Sequence, residues 1–206
     1  MMKRLALILV AILLMNLTAA CAETAPESGA PRILVAFFSR TGENYNVGFI
    51  EKGNTHIIAE MIAEETGGDR FEIKTVIPYP DDYEETKTIA TREYNEGARP
   101  ELTESIETFE DYDVIFLGYP IWWGGMPMAM YTFMESYDFI GKTVIPFNTH
   151  EGSGTAGTVT DIREALPDAE VLDGLPIQGR VAQEQQDRTR ETVHNWLVEL
   201  GMPAGE

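Results

Sequence analysis

Ile33-Leu34-Val35-Ala36-Phe37-Phe38 runs directly into Ser39-Arg40-Thr41-Gly42, and after residues 43–52 the thread resumes as Gly53-Asn54-Thr55. An unbroken apolar run ahead of a polar turn is what a parallel strand covered on both faces requires. Ile57, Ile58, Met61 and Ile62 then recur at helical spacing, and Gly67-Gly68 closes that helix. Hydroxyls, a glycine and an asparagine between a strand end and a helix start make a site for a phosphate. The first N–H groups of a helix lack partners, and its dipole favours an anion. The plainer alternative is a strand-to-helix turn with Asn54 as its N-cap. Residues 43–52 interrupt the pattern. They hold Asn44, Tyr45, Asn46 and Gly48 with little helical periodicity, so they read as a surface excursion and not as added helix. The sharper expectation is that Asn44, Tyr45 or Phe49 folds over a bound ligand or meets a partner.

The same alternation continues outward. Residues 70–77 carry Phe71, Ile73 and Val76 and read as a second strand, stopped by Pro78-Tyr79-Pro80. Asp81-Asp82 can cap a charged helix over residues 83–96. Asp113-Val114-Ile115-Phe116-Leu117-Gly118 is the clearest strand, the third, and residues 119–125 follow it as a loop. Pro127 suits the first turn of a helix bearing Met130, Phe133 and Met134. Residues 142–148 give a fourth strand and 149–154 its exit loop. Val159, Ile162 and Leu166 fit a short helix, and residues 169–172, extended through Leu175-Pro176-Ile177, a fifth strand. Val193, Trp196, Leu197 and Leu200 fit a C-terminal helix. Five strand–helix alternations describe a doubly wound parallel α/β domain, whose ligands sit beyond the carboxyl ends of the strands.

Three loops leave those ends carrying unusual residues. The first is the phosphate candidate. The second, Tyr119-Pro120-Ile121-Trp122-Trp123-Gly124-Gly125, offers flat apolar surface for a flat ring, with glycines that let backbone approach it. One of its tryptophans is expected to pack as core. The third, Thr149-His150-Glu151-Gly152-Ser153-Gly154, offers backbone donors, hydroxyls and His150, the one candidate catalytic side chain; a hydrogen-bonded loop histidine is the alternative. Gly152-x-Gly154-x-x-Gly157 matches the dinucleotide fingerprint in letters. It lies after the fourth strand, with too little chain behind it for a pair of βαβ halves. A phosphoaccepting aspartate is missing where Tyr119 stands, no Gly-Lys-Ser/Thr follows the first strand, and no metal-ligand spacing is visible.

Ser39-Arg40-Thr41-Gly42 with Gly53-Asn54-Thr55 resembles the S-x-T-G-N-T phosphate loop of flavodoxins, split by an insertion and completed by either Gly42 or Gly53. Gly118-Tyr-Pro-x-Trp-Trp-Gly124 and Pro146-Phe-Asn-Thr-His-Glu-Gly-Ser-Gly154 resemble the ring loops of a flavodoxin-like family of small bacterial FMN-binding proteins. The resemblance implies a five-stranded sheet in the order 2-1-3-4-5 with helices on both faces, and one non-covalently bound FMN. By resemblance Ser39, Thr41, Asn54 and Thr55, with Arg40 and Gly42 beside them, would hold the phosphate. Tyr119, Pro120, Ile121, Trp122, Trp123 and Gly124 would flank the ring. Thr149, His150, Glu151, Gly152, Ser153 and Gly154 would hold its pyrimidine edge. The function implied is electron transfer through FMN. An NAD(P)H-dependent FMN oxidoreductase of quinones or similar acceptors, and a non-redox lipoprotein binding another phosphorylated ligand, are the alternatives.

Net charge and the N-terminus bound the setting. The formal charge is −19, and Lys3 and Arg4 are the only charges among the first twenty residues, so the remainder is more acidic still. Such a surface repels nucleic acid and anionic lipid, and suits a basic redox partner or a small electron acceptor. Lys3-Arg4 followed by the apolar residues 5–15 and by Leu17-Thr18-Ala19-Ala20-Cys21 reads as an export signal, too short for a spanning helix of roughly 20 residues. It resembles the lipobox of bacterial lipoproteins, with Cys21 the lipidated residue, although Thr18 stands where leucine is usual; ordinary cleavage near Ala20 is the alternative. The expected organisation is a signal over 1–21, a linker over 22–31 and the domain over 32–202. The chain would be exported and held by a lipid on Cys21 at the outer face of the cytoplasmic membrane or at another envelope membrane. Export disfavours the NAD(P)H-dependent reading, since that reductant belongs to the cytoplasm.

Overall fold

A computed structural model describes residues 29–202. The signal over 1–21, with Cys21, and most of the 22–31 linker lie outside the described residues. In chain order the elements are β1 (Ile33–Phe37), β2 (Gly42–Asn44), β3 (Gly48–Ile50), α1 (Asn54–Thr66), β4 (Asp69–Glu72), α2 (Tyr83–Glu96), β5 (Val114–Pro120), α3 (Met128–Ser136), β6 (Thr143–His150), α4 (Thr158–Ala165), β7 (Glu170–Val171), β8 (Leu175–Gln178), α5 (Gly179–Glu184) and α6 (Gln186–Glu199). The main sheet runs β4-β1-β5-β6-β7, with β8 also on β6, all parallel. This is the 2-1-3-4-5 order of a flavodoxin-like fold.

Alternation along the strands divides the core in two. Leu34, Ala36, Ile115, Leu117 and Val144 face a layer closed by α3 and α4, centred on Met130, Phe133 and Ile162. Val35, Phe37, Phe116, Ile145 and Phe147 face the other, closed by Ile58 and Ile62 of α1 and Val193 and Leu197 of α6. Strand order reverses between β1 and β5, which is where a crevice must open at their carboxyl ends.

Four expectations need correction. The second strand ends at Glu72, short of residue 77. Ile73 N–H still bonds Phe37 O, but the chain then leaves the sheet to pair Val76 with Glu101 and Lys74 with Thr103. Val76, read as part of that strand, is exposed as a result. The third strand runs through Pro120, so Tyr119 and Pro120 are ladder residues opposite Asn148 and Thr149, not loop residues. The fifth strand is two pieces. Asp173-Gly174 carries the chain past Pro146, which has no N–H to give a ladder. Residues 43–52 are mostly a β-hairpin: β2 pairs antiparallel with β3 from Gly42–Ile50 to Asn44–Gly48. Among the described residues no helix is long and apolar enough to cross a membrane, and no cluster of metal-ligating side chains gathers.

Candidate functional site

A cleft of about 540 Å³ opens over the ends of β1, β5 and β6, within the usual range for small-molecule sites. Asn54 lies at one end, Trp122, Trp123, Thr149 and His150 at the middle, and Tyr45 and Tyr83 along the outer wall.

The first corner is built by the start of α1. Its N-cap is Gly53, in extended conformation, with no side chain to cap the helix. Ser39 Oγ does that work from the end of β1, accepting His56 N–H at 3.0 Å. Only glycine allows this approach, since a Cβ on Gly53 would meet Ser39 Oγ at 2.1 Å and Arg40 O at 2.7 Å. Gly53, and not Gly42, therefore completes the split motif; Gly42, at φ +78°, opens the hairpin instead. Among the described residues no acceptor faces the N–H groups of Asn54 and Thr55. Two free N–H groups at the positive end of a helix dipole, beside a serine hydroxyl with a proton to give, are the donor set a phosphate dianion fits.

Other residues of this loop do different work from the expected one. Thr55 turns its buried hydroxyl onto Thr149 Oγ1 at 2.9 Å, so its contribution to the corner is its N–H. Thr41 is exposed, outside the cleft lining. Arg40 lines the cleft, but its guanidinium is a clamp: Nε and Nη2 donate to Pro80 O at 3.2 and 2.8 Å, Nη2 also to Asp81 O at 2.7 Å, and Nη1 to Glu43 O. Burial lowers its pKa against the opposing pull of Asp81 and Glu43. Asn54 is oriented by a residue with no sequence signal: Gln183 Nε2 on α5 donates to Asn54 Oδ1 at 2.8 Å and to Lys52 O at 2.7 Å.

The second loop is a tight turn. Trp122 and Gly125 exchange both N–H···O bonds at 2.9 Å, with Trp123 at φ +54° and Gly124 at φ +77° between them. Positive φ at both central residues is a type I′ turn, where glycine is at ease and tryptophan is strained. Trp122 packs edge-on against Phe38 and Tyr79 at 5.4 and 5.0 Å between centroids, giving the cleft a fixed aromatic floor. Trp123 is 54% exposed at the mouth. Pro120, Ile121 and Gly124 also line the cleft. Tyr119 does not: its ring is wholly buried and its hydroxyl lies 2.8 Å from Thr158 Oγ1, which itself donates to Thr155 O. Burial pushes the Tyr119 phenol up to about 12, so it stays a donor and ties β5 to the start of α4. A tyrosine expected against a ring is thus a brace beneath the third loop.

Thr149 and His150, expected in the third loop, are the last two residues of β6, opposite Ile177 and Gln178; His150 Nδ1 accepts Gly152 N–H at 2.9 Å, which places the ring proton on Nε2. Burial lowers the His150 pKa, with Glu151 pulling the other way, so the ring is a neutral donor and not a cation. Glu151 closes the start of α5, accepting Arg180 N–H at 2.9 Å and Gln178 Nε2 at 3.2 Å. Ser153 lines the cleft, whereas Gly152 and Gly154 shape the turn, and Asn148 Nδ2 holds Gly154 O at 2.9 Å.

Residues 32–199 match the flavodoxin family. Among solved structures, a candidate flavoprotein from Bacteroides eggerthii is 30% identical, with a TM-score of 0.67 over 84% of this chain and 99% of that one. One from Bacteroides uniformis is also 30% identical, with a TM-score of 0.67 over 82% and 98%. A flavoprotein from Lactobacillus acidophilus in complex with FMN shares the fold at 21% identity and a TM-score of 0.59, over 76% and 99%. No curated protein matches the sequence.

Proposed function

The chain belongs to the flavodoxin family, and on that premise we propose that it is an FMN redox protein that transfers electrons. FMN is its cofactor, held without a covalent bond. The observation that carries this reading is the corner at Gly53-Asn54-Thr55, with two N–H groups that have no partner among the described residues, joined by one cleft to the aromatic turn at residues 122–125. Bound FMN supplies the redox chemistry. The chain supplies the rest. Asn54 and Thr55 N–H with Ser39 Oγ hold the phosphate, the 122–125 turn bounds the ring, and the neutral His150 donates from Nε2 toward whatever acceptor lies beside it. A neutral His150 adds no positive charge to this acidic protein, whose charge favours a low reduction potential.

A second reading, a reductase of a small acceptor, is favoured by the outer wall of the cleft, which α2 and the hairpin add beyond the phosphate loop and the two ring loops. Anaerobic mixing of the FMN-loaded chain with NADH or NADPH separates the two. A carrier leaves the flavin oxidised and accepts electrons from dithionite for delivery to a basic one-electron acceptor such as cytochrome c. Bleaching of the flavin by NAD(P)H, with turnover on a quinone, refutes the carrier. Export and a lipid on Cys21 complete the proposal; radiolabelled palmitate entering the wild type but not a Cys21→Ala variant supports the anchor, and equal labelling refutes it.

A further inference from the structure

The hairpin is not a detached excursion. Glu43 N–H bonds Asp81 O at 2.8 Å, and the Arg40 guanidinium ties Glu43 O to the carbonyls of Pro80, Asp81 and Asp82. Asp82 in turn caps α2, accepting Glu85 N–H at 2.8 Å. Hairpin and α2 therefore form one wall. On it Tyr45 stacks on Tyr83, centroids 6.0 Å apart and planes 27° from parallel, and Lys87 Nζ lies 5.8 Å over the Tyr83 ring. All three side chains line the same cleft as Trp122 and Trp123. A surface insertion that merely fills space needs no stacked aromatic pair facing a cofactor cleft.

From this wall we infer a subsite for a neutral planar quinone of one or two fused rings, bound between the Tyr45–Tyr83 pair and the flavin-binding loops. The charges of the lining argue for neutrality. Lys87 is paired with Glu84, Glu151 with the start of α5, and Arg40 with four carbonyls. Arg40 and Lys87 keep positive charge on the wall and disfavour a cation, while the protein's net charge of −19 disfavours an anion. The tyrosine faces suit an offset-stacked ring. Quinone carbonyls need donors, and among the described residues the Tyr45 and Tyr83 hydroxyls have no protein partner, while Lys87 keeps two N–H groups beyond the one given to Glu84. The subsite is occupied by binding alone; nothing is transferred in it for it to exist.

Because the subsite presupposes FMN in the cleft, FMN affinity is measured first on every preparation. The FMN-loaded, oxidised protein is then titrated with 2-methyl-1,4-naphthoquinone, reading flavin absorbance and tyrosine–tryptophan fluorescence. Saturable binding is expected, weakened about tenfold in Tyr45→Ala and in Tyr83→Ala, the size of one lost aromatic contact. Tyr45→Phe, which keeps the ring, should retain most of the affinity. Methyl viologen and anthraquinone-2-sulfonate, cationic and anionic flat rings, should bind more weakly than the neutral probe. Equal naphthoquinone affinity in wild type and both alanine variants, absence of saturable binding, or tighter binding of either charged ring overturns the subsite while leaving FMN binding intact. Loss of FMN binding itself takes down the flavin reading and the subsite together, and is visible as such.

Discussion

Gly53→Ala is a steric test of the phosphate corner. The native backbone at residue 53, φ −66° and ψ 151°, is open to alanine, so the substitution brings no backbone strain. What it brings is a methyl group 2.1 Å from Ser39 Oγ, 2.7 Å from Arg40 O and 3.0 Å from Arg40 N. Reaching an ordinary contact of 3.4 Å requires Ser39 Oγ and the helix start to part by about 1.3 Å. Ser39 can rotate away, giving up its bond to His56 N–H, but the Arg40 backbone cannot, so the corner must open. Overpacking of this kind costs about 1–3 kcal/mol of stability. Loss of one charge-assisted N–H bond to the phosphate, about 1.5–3 kcal/mol, should weaken FMN binding roughly 10- to 150-fold. Riboflavin lacks the phosphate, so its affinity should change by less than about threefold. Flavin-fluorescence quenching titrations of both ligands give the comparison, and thermal unfolding reports folding. Unchanged FMN affinity, or an equal loss for riboflavin, would refute the placement of the phosphate on Gly53-Asn54-Thr55.

Gln183→Leu keeps the bulk on α5 and removes the bonds to Asn54 Oδ1 and Lys52 O; FMN affinity should fall about fivefold, near 1 kcal/mol, with Gln183→Glu worse because a carboxylate would face the Asn54 carbonyl oxygen. Trp123→Gly relieves a left-handed tryptophan and should stabilise the fold by about 1 kcal/mol in chemical denaturation, while Trp123→Val, β-branched at the same φ, should destabilise it. His150 should show the Nε2–H tautomer by nitrogen NMR and titrate below its ordinary 6.5. Its contribution to stability is then full above that value and lost as pH falls through the lower folded pKa; an Nδ1–H tautomer or a raised pKa contradicts the geometry.

The fold was legible because apolar runs such as residues 33–38 and 114–117 read as doubly covered strands, and because Ile57, Ile58, Met61 and Ile62 leave one helical face. The loops that carry the site could be located on the same grounds. What sequence could not give was orientation. Tyr119 reads as a ring-facing aromatic until strand β5 is seen to run two residues further, turning it into the core. Thr55 carries a letter of the motif and Arg40 stands at its variable position, but tertiary partners, Thr149 and the 80–82 carbonyls, take their polar groups. Gln183 gives no local signal, since its role exists only because α5 returns to the start of α1 across 129 residues of sequence. Tyr83 and Lys87 belong to a stretch that reads only as a charged helix. The hairpin ahead of them, whose short strands fall below the length at which alternation can be read, makes one face of it a cleft wall.

The central claim is that this cleft holds FMN by its phosphate. It is tested most directly by titrating the flavin-free chain with FMN and with riboflavin and by measuring flavin per chain after gel filtration. One FMN per chain, a yellow protein, and at least tenfold tighter binding of FMN than of riboflavin are the results expected of a corner offering charge-assisted bonds to a phosphate. A chain that takes up no FMN, or that binds riboflavin as tightly, contradicts the account.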